Sequence, residues 1–244
     1  MDNKGLENIE EIKLSKQKIA IIIPAYNSGK FLDMTIKNLL KTTKHPHWRL
    51  IISMSKSDDM TEAICDYYSA MYPSISVIKS PKEGTTKALN KAIKATTEDE
   101  DILLTQDDVL RPDLYKYCWL TRMLTAVEKN PDAGLITTME GGGVSGPDYV
   151  DGFRWIGTWN MYIPRRTLNK VGLFDENFNP GPGDDIDYSF RVFLSGLNLG
   201  QISIWVEHHR KMNFNDHSYE NEDIKSKNAK YFRQKFKQGE FKDA

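Results

Sequence analysis

Lys18-Ile19-Ala20-Ile21-Ile22-Ile23-Pro24-Ala25-Tyr26-Asn27 decides the fold reading. The apolar run after Lys18 has no polar alternation, so it reads as a buried strand. Pro24 lacks an amide donor and closes it. Ser28-Gly29 then opens a helix with Phe31, Ile36, Leu39 and Leu40 on its apolar face. The unit repeats. Trp48 to Met54 is a strand. Asp59 is the N-cap of a helix through Met71, with Ala63, Ile64, Tyr67 and Tyr68 inward. Ile75 to Ile78 is a strand, Thr85 to Ala95 a helix with Ala88, Leu89, Ala92 and Ile93 inward, and Asp101 to Thr105 a strand. This alternation predicts an α/β protein with a doubly wound, mostly parallel sheet. Ligands of such sheets sit beyond the carboxyl ends of strands, where strand order reverses. Pro24 to Asn27 and Asp107-Asp108 both follow strand ends.

The second half changes character. Pro112 to Asn130 reads as mostly helical and Gly134 to Thr138 as a short strand. Glu140 to Gly152, with Gly141-Gly142-Gly143 and Gly146-Pro147, reads as a long flexible connection. Phe153 to Ile163 reads as extended and aromatic. Arg165 to Val171 is a short helix ending at Gly172, and Asp184 to Ser195 a helix stopped by Gly196. Leu197 to Val206 is a strand running into His208-His209. Residues 1–17 form a polar arm and residues 210–244 a basic tail.

The 244 residues are 39% hydrophobic and 27% charged, which suffices for one sizeable core. A net charge of −1 gives no global field favouring nucleic acid or an acidic membrane. Cys65 and Cys118 form no CxxC pair or disulfide framework and fit a reducing compartment. No apolar run approaches the roughly 20 residues that span a bilayer. Met1 to Lys18 is too charged for a secretory signal. A cytoplasmic location is expected.

Two acidic pairs carry the chemical signal. Asp107-Asp108 follows Ile102-Leu103-Leu104. Carboxylate oxygens there suit Mg2+ or Mn2+ bridging phosphates; the competing role is a turn or helix cap before Pro112. Asp184-Asp185-Ile186-Asp187 follows Pro180-Gly181-Pro182-Gly183. A helix dipole alone favours an acidic first turn. Like charges this close also raise at least one pKa, which suits a general base. The glycines of residues 179–183 give that loop freedom to move. Tyr26 can stack on a nucleotide base, or the turn at Pro24 is merely a strand stop. One histidine of His208-His209 can ligate a metal as neutral imidazole, or the pair is ordinary packing.

In order and spacing, these segments resemble the family-2 glycosyltransferases of the GT-A fold, over about Lys18 to His209. Ile22-Ile23-Pro24-Ala25-Tyr26-Asn27 looks like the opening nucleotide-binding strand. Gly84-Thr85-Thr86-Lys87-Ala88-Leu89-Asn90 is similar to the segment joining the third strand to its helix. Asp107-Asp108-Val109-Leu110-Arg111-Pro112-Asp113 resembles the metal motif. Pro164-Arg165-Arg166 through Val171-Gly172-Leu173-Phe174-Asp175-Glu176 looks like the acceptor-side motif. Asp184 to Arg191, followed by Gly196, resembles the catalytic acidic helix.

The resemblance implies one domain over residues 18–209, with a nucleotide-sugar half (18–113) and an acceptor half (114–209). It implies inverting transfer of a sugar from a nucleotide-diphosphate sugar to an acceptor hydroxyl. By it, Pro24, Ala25, Tyr26, Asn27, Ser53, Gly84, Lys87 and Asp107 contact the donor. Asp107, Asp108 and His208 hold Mn2+ or Mg2+, and Asp185 is the base. Asp184 and Trp159 face the acceptor, although a packed indole reads equally well at Trp159. His208 is preferred to His209 because Val206-Glu207-His208 matches the family's strand-end spacing.

Two departures stand out. Thr105 occupies the position of the first acid in the family's Asp-x-Asp motif. Ser53-Met54-Ser55-Lys56-Ser57-Asp58-Asp59 lacks the acidic end of the family's second strand, so the nucleotide base is not named. A sugar-nucleotide-binding protein without turnover is therefore the alternative, and a transferase glycosylating modified bases in DNA a third reading. The acceptor is a glycan or another hydroxyl-bearing molecule. In the tail, Lys225, Lys227, Lys230, Arg233, Lys235 and Lys237 accompany Ala229, Phe232 and Phe236 on one helical face. The first reading packs that face on the domain; the second offers it to a membrane or nucleic acid.

Overall fold

The predicted alternation is present in the computed structural model. It runs β1 (Lys18–Ala25), α1 (Gly29–Thr42), β2 (Trp48–Ser55), α2 (Thr61–Met71), β3 (Ile75–Ser80), α3 (Thr85–Lys94) and β4 (Glu100–Thr105). There follow β5 (Val109–Leu110), α4 (Trp119–Lys129), β6 (Ala133–Glu140), β7 (Asn160–Ile163) and α5 (Arg165–Val171). A 3-10 turn (Glu176–Phe178), α6 (Asp184–Leu194), β8 (Asn198–His208) and α7 (Glu222–Phe236) complete the order. The structure describes residues 16–113, 118–140, 149–153, 155–209 and 222–237. Most of the polar arm, the Gly141-Gly142-Gly143 and Gly146-Pro147 connection, and the ends of the basic tail lie outside the described residues.

The strands are ordered β3-β2-β1-β4-β7-β6-β8-β5. β1 lies between β2 and β4 and is parallel to both. β7 is antiparallel to β4 and β6, while β6 and β8 are parallel. The chain thus winds outward through β1, β2 and β3, then returns to β1's other side with β4. That reversal creates a crevice at the carboxyl ends of β1 and β4.

β1 has no polar alternation because each of its faces meets a helix layer. Ile19, Ile21 and Ile23 pack with Leu32, Ile36 and Leu39 of α1 and with Trp119 and Met123 of α4. Ala20 and Ile22 pack with Leu89, Ala92 and Ile93 of α3 and with Tyr188 and Val192 of α6. Each fully buried isoleucine contributes about 1.5–3 kcal/mol.

Several boundaries differ from expectation. α2 buries Thr61, Cys65 and Tyr68, whereas Tyr67 is 58% exposed. Polar anchors set its rotation: Thr61 Oγ1 accepts the Ser28 amide, and Tyr68 Oη donates to Asp33 of α1. Hydrophobic periodicity does not register such anchors. Of the extended stretch from Phe153, Asn160–Ile163 pairs as a strand. The helix expected from Pro112 is assigned from Trp119, with 114–117 outside the described residues. α7 docks by Asn228, Tyr231, Phe232, Lys235 and Phe236 rather than by Ala229, which is exposed.

Candidate active site

Strand directions put the predicted residues on one sheet edge. β1, β2, β3, β4, β6 and β8 all end there, and antiparallel β7 begins there. That edge carries Pro24, Ala25, Tyr26 and Asn27 after β1, Thr105 to Asp108 after β4, Trp159 before β7, Glu140 at the end of β6, and His208 at the end of β8.

The β1 turn is pinned from several sides. Asn27 has a φ of 46°. Its amide donates to Ser57 Oγ and its Oδ1 accepts the Asp58 amide, so the β1 and β2 turns interlock. Asp59 accepts from the Gly29 and Thr61 amides, tying the starts of α1 and α2. Burial raises the Asp59 pKa, but these hydrogen bonds outweigh it and leave the pKa lowered. Tyr26 is half-buried and faces Lys82, whose Nζ lies 2.8 Å from its hydroxyl and 4.2 Å from its ring centroid. Lys82 brings to the β1 turn a cation that sequence reading missed. Lys87 is half-buried in the first turn of α3. Ser53 is 1% exposed and its hydroxyl donates to Ala88 O, which ties β2 to α3.

Thr105 uses its hydroxyl internally. It donates to Trp159 O at 3.0 Å and accepts from Arg111 Nη2 at 2.6 Å. Arg111 also donates to Val109 O and Asn160 Oδ1. Its neighbours in this network are neutral, and burial pushes its pKa down to about 9.

Behind the β4 end lies an acid–imidazole cluster. His208 Nε2 is 3.4 Å from Asp108 Oδ1 and 2.8 Å from Gln106 Oε1; its Nδ1 is 3.2 Å from Glu140 Oε1. Trp159 stacks on the His208 ring at 5.8 Å. The backbone of Asp107 is fixed by a 2.7 Å bond from Thr35 to its carbonyl. His209 points elsewhere, 3.4 Å from Glu207. Asp108 Oδ1 is buried with no hydrogen-bond partner. A bare carboxylate oxygen beside an imidazole, itself flanked by a second carboxylate, has donor chemistry that fits a divalent cation. Among the described residues no three His, Cys, Asp or Glu side chains form a metal-holding group by themselves. Further ligands would have to come from elsewhere, such as donor phosphates. Gln106 and Glu140 were missed by sequence reading; the signal for Glu140 was an acid directly ending an apolar strand.

The second acidic pair reaches this edge through α3. Asp184 is buried; its Oδ2 accepts from Thr86 Oγ1 and its Oδ1 from the Asp185 amide. Asp185 is half-buried. Burial first, and the neighbouring Asp184 charge second, push its carboxyl up to about 7. The preceding loop is laced to the start of α3: Thr85 N donates to Pro180 O, and Asn179 Nδ2 to Glu83 O. Gly84 has a φ of 92°, and a Cβ there would collide with the Asn179 amide. The loop glycines expected to give mobility adopt positive φ, 113° at Gly181 and 100° at Gly183, in a loop tied on both sides.

The Pro164-Arg165-Arg166 stretch lies away from the crevice. Arg165 binds Asp101 Oδ1, Glu100 O and Thr96 Oγ1, at the start of β4. Antiparallel β7 delivers it to the opposite sheet edge.

The family model "Glycosyl transferase family 2" matches residues 20–183. An uncharacterized glycosyltransferase, YibD of Escherichia coli K12, is 28% identical over 118 residues, 48% of this chain and 33% of its own. Putative teichuronic acid biosynthesis glycosyltransferase TuaG of Bacillus subtilis is 29% identical over 99 residues, 40% of this chain and 39% of its own. The matches therefore span well under half of these relatives. The structure of GalNAc-T7 with UDP, GalNAc and Mn2+ superposes with a TM-score of 0.66 at 13% identity, over 79% of this chain and 44% of that one. The mannosyltransferase PcManGT of Pyrobaculum calidifontis, with GDP-Man and Mn2+, gives 0.62 at 16% identity, over 81% and 58%.

Proposed function

The chain belongs to glycosyl transferase family 2, with the GT-A fold, and from that premise we propose that it is an inverting, metal-assisted glycosyltransferase using a nucleotide-diphosphate sugar. The observation that carries this is the Asp184–Asp185 pair joined to the donor-side edge by Thr86, with the half-buried Asp185 carboxyl raised to about 7. A carboxylate titrating there is matched to taking a proton at neutral pH.

Asp185 takes the acceptor hydroxyl proton as that oxygen attacks the anomeric carbon. The bond from that carbon to the diphosphate oxygen breaks, and the nucleoside diphosphate leaves with the electron pair. One displacement inverts the anomeric centre. In this reading the β1 turn and Lys82 receive the nucleotide and its phosphates, and Trp159 lines the acceptor approach. Asp107, Asp108 and His208 would hold Mn2+ or Mg2+, which when bound offsets charge on the diphosphate. The acceptor is a glycan or another hydroxyl-bearing molecule. Among the described residues no helix is long and apolar enough to cross a membrane.

A thermal-shift panel of nucleotide sugars, with and without Mn2+, tests the donor half, since a ligand that binds the folded state raises its melting temperature. The stabilising donor is then offered to a panel of acceptors. Stabilisation followed by transfer is expected. Stabilisation without transfer would favour the binding-only alternative, and no stabilisation by any donor would overturn the proposal.

A further inference from the structure

Helix α7 adds nothing to the sheet, yet it grips the loop in front of Asp185. Asn228 of α7 is 3% exposed. Its Nδ2 faces three main-chain carbonyls: Phe178 O at 3.0 Å, Gly181 O at 2.7 Å and Pro182 O at 2.9 Å. An amide has two hydrogens, so one is shared between acceptors. Further along α7, Tyr231 Oη meets Asp175 Oδ2 at 2.9 Å. Lys235 Nζ bridges Asp175 at 2.7 Å and the fully buried Asp187 of α6 at 2.6 Å. Phe236 packs edge-on against Phe190 of α6, ring centroids 4.7 Å apart.

Buried carbonyls in an irregular loop must find donors. Positive φ at Gly181 and Gly183 takes this loop out of any regular ladder; Phe178 O also accepts the Gly181 amide at 2.8 Å, and Asn228 adds the donor that reaches Gly181 O and Pro182 O. The start of α3 ties the loop from the opposite side, through Asn179 and Pro180. We propose that Asn228 is a positioning residue, holding the carbonyls of residues 178–182 so that Asp185 is presented to the acceptor hydroxyl. The inference rests on the reading of Asp185 as base.

The test compares Asn228→Ala with Tyr231→Phe in the full chain. Tyr231→Phe removes a hydroxyl from Asp175 and Asn177 but touches none of the three carbonyls. Amide exchange over residues 178–187 is expected to speed up in Asn228→Ala alone, a readout that needs no turnover. In transfer assays, Asn228→Ala is expected to lower kcat roughly ten- to a hundredfold with donor KM unchanged. The acid limb of its pH profile should also move down from about 7, because a loosened loop admits water to Asp185. A purely structural role would reduce the active fraction without moving the pH limb, and that result would overturn the inference. So would unchanged exchange in Asn228→Ala, or equal changes in Tyr231→Phe. Exchange that responds in a chain whose wild type transfers nothing would sink the base assignment while supporting the clamp.

Discussion

Thr86 and Asp184 stand 98 positions apart and share a 2.9 Å hydrogen bond that joins the first turns of α3 and α6. The bond ties the start of α3 to the acidic helix. It also separates the roles of the two aspartates. Asp184 is buried, holding Thr86 and the Asp185 amide. Asp185 is half-buried and can meet a substrate.

Asp185→Asn nearly keeps shape and removes the proton acceptor. Donor binding, read by thermal shift, should survive while transfer falls roughly 10²-fold or more. Asp184→Asn should retain more activity, since an amide oxygen can still accept from Thr86. Loss confined to Asp184→Asn would exchange the two roles. A product of retained anomeric configuration would reject the single displacement altogether.

The same carboxyl makes stability pH-dependent. Its folded pKa, about 7, lies above its ordinary value of 3.8, so between these pH values the folded state binds more protons than the unfolded one. Its contribution is then most favourable below pH 4 and is lost as pH rises through 7. Asp185→Asn should raise the melting temperature at pH 8 and leave it nearly unchanged at pH 4. A variant equally shifted at both values would mean that Asp185 is not held protonated by its surroundings.

The first half of the fold was legible because its signals are local. Unbroken apolar strands, short turns and periodic helices in residues 18–105 each encode their own burial, and the strand ends follow. What escaped is made of contacts between distant residues. Tyr67 on α2 was misplaced because Tyr68's bond to Asp33 sets that helix's rotation. The bond from Ser53 to Ala88 O was hidden too, because strand-end position alone does not show which way a hydroxyl turns. Asn228 resembled any polar residue on a basic helix until three carbonyls converged on it.

Removal of the metal should separate the two acidic pairs. Asp107→Asn is expected to weaken Mn2+-dependent stabilisation by the donor and to lower turnover, and chelation of wild type should do the same. His208→Ala should shift the Mn2+ concentration giving half-maximal activity upward, because Asp108 Oδ1 then loses its imidazole neighbour. Full activity of Asp107→Asn at limiting Mn2+ would remove Asp107 from the metal site.

Gly84 tests the lacing between the two halves. Its φ of 92° disfavours any side chain, and its missing Cβ makes room for the Asn179 amide that donates to Glu83 O. Gly84→Ala therefore meets two penalties, backbone strain of about 1–3 kcal/mol and displacement of Asn179. Gly172→Ala is the control, because its φ is 83° and nothing lies within 4 Å of a Cβ there. At roughly 2–4 °C per kcal/mol for a domain of this size, both variants should melt lower, Gly84→Ala the more so. Asn179→Ala should narrow that gap when combined with Gly84→Ala, since contacting residues are not additive. Equal melting temperatures for the two glycine variants would show that the loop ahead of Asp185 yields freely, and that its tie to α3 does not hold the acidic helix in register with the donor edge.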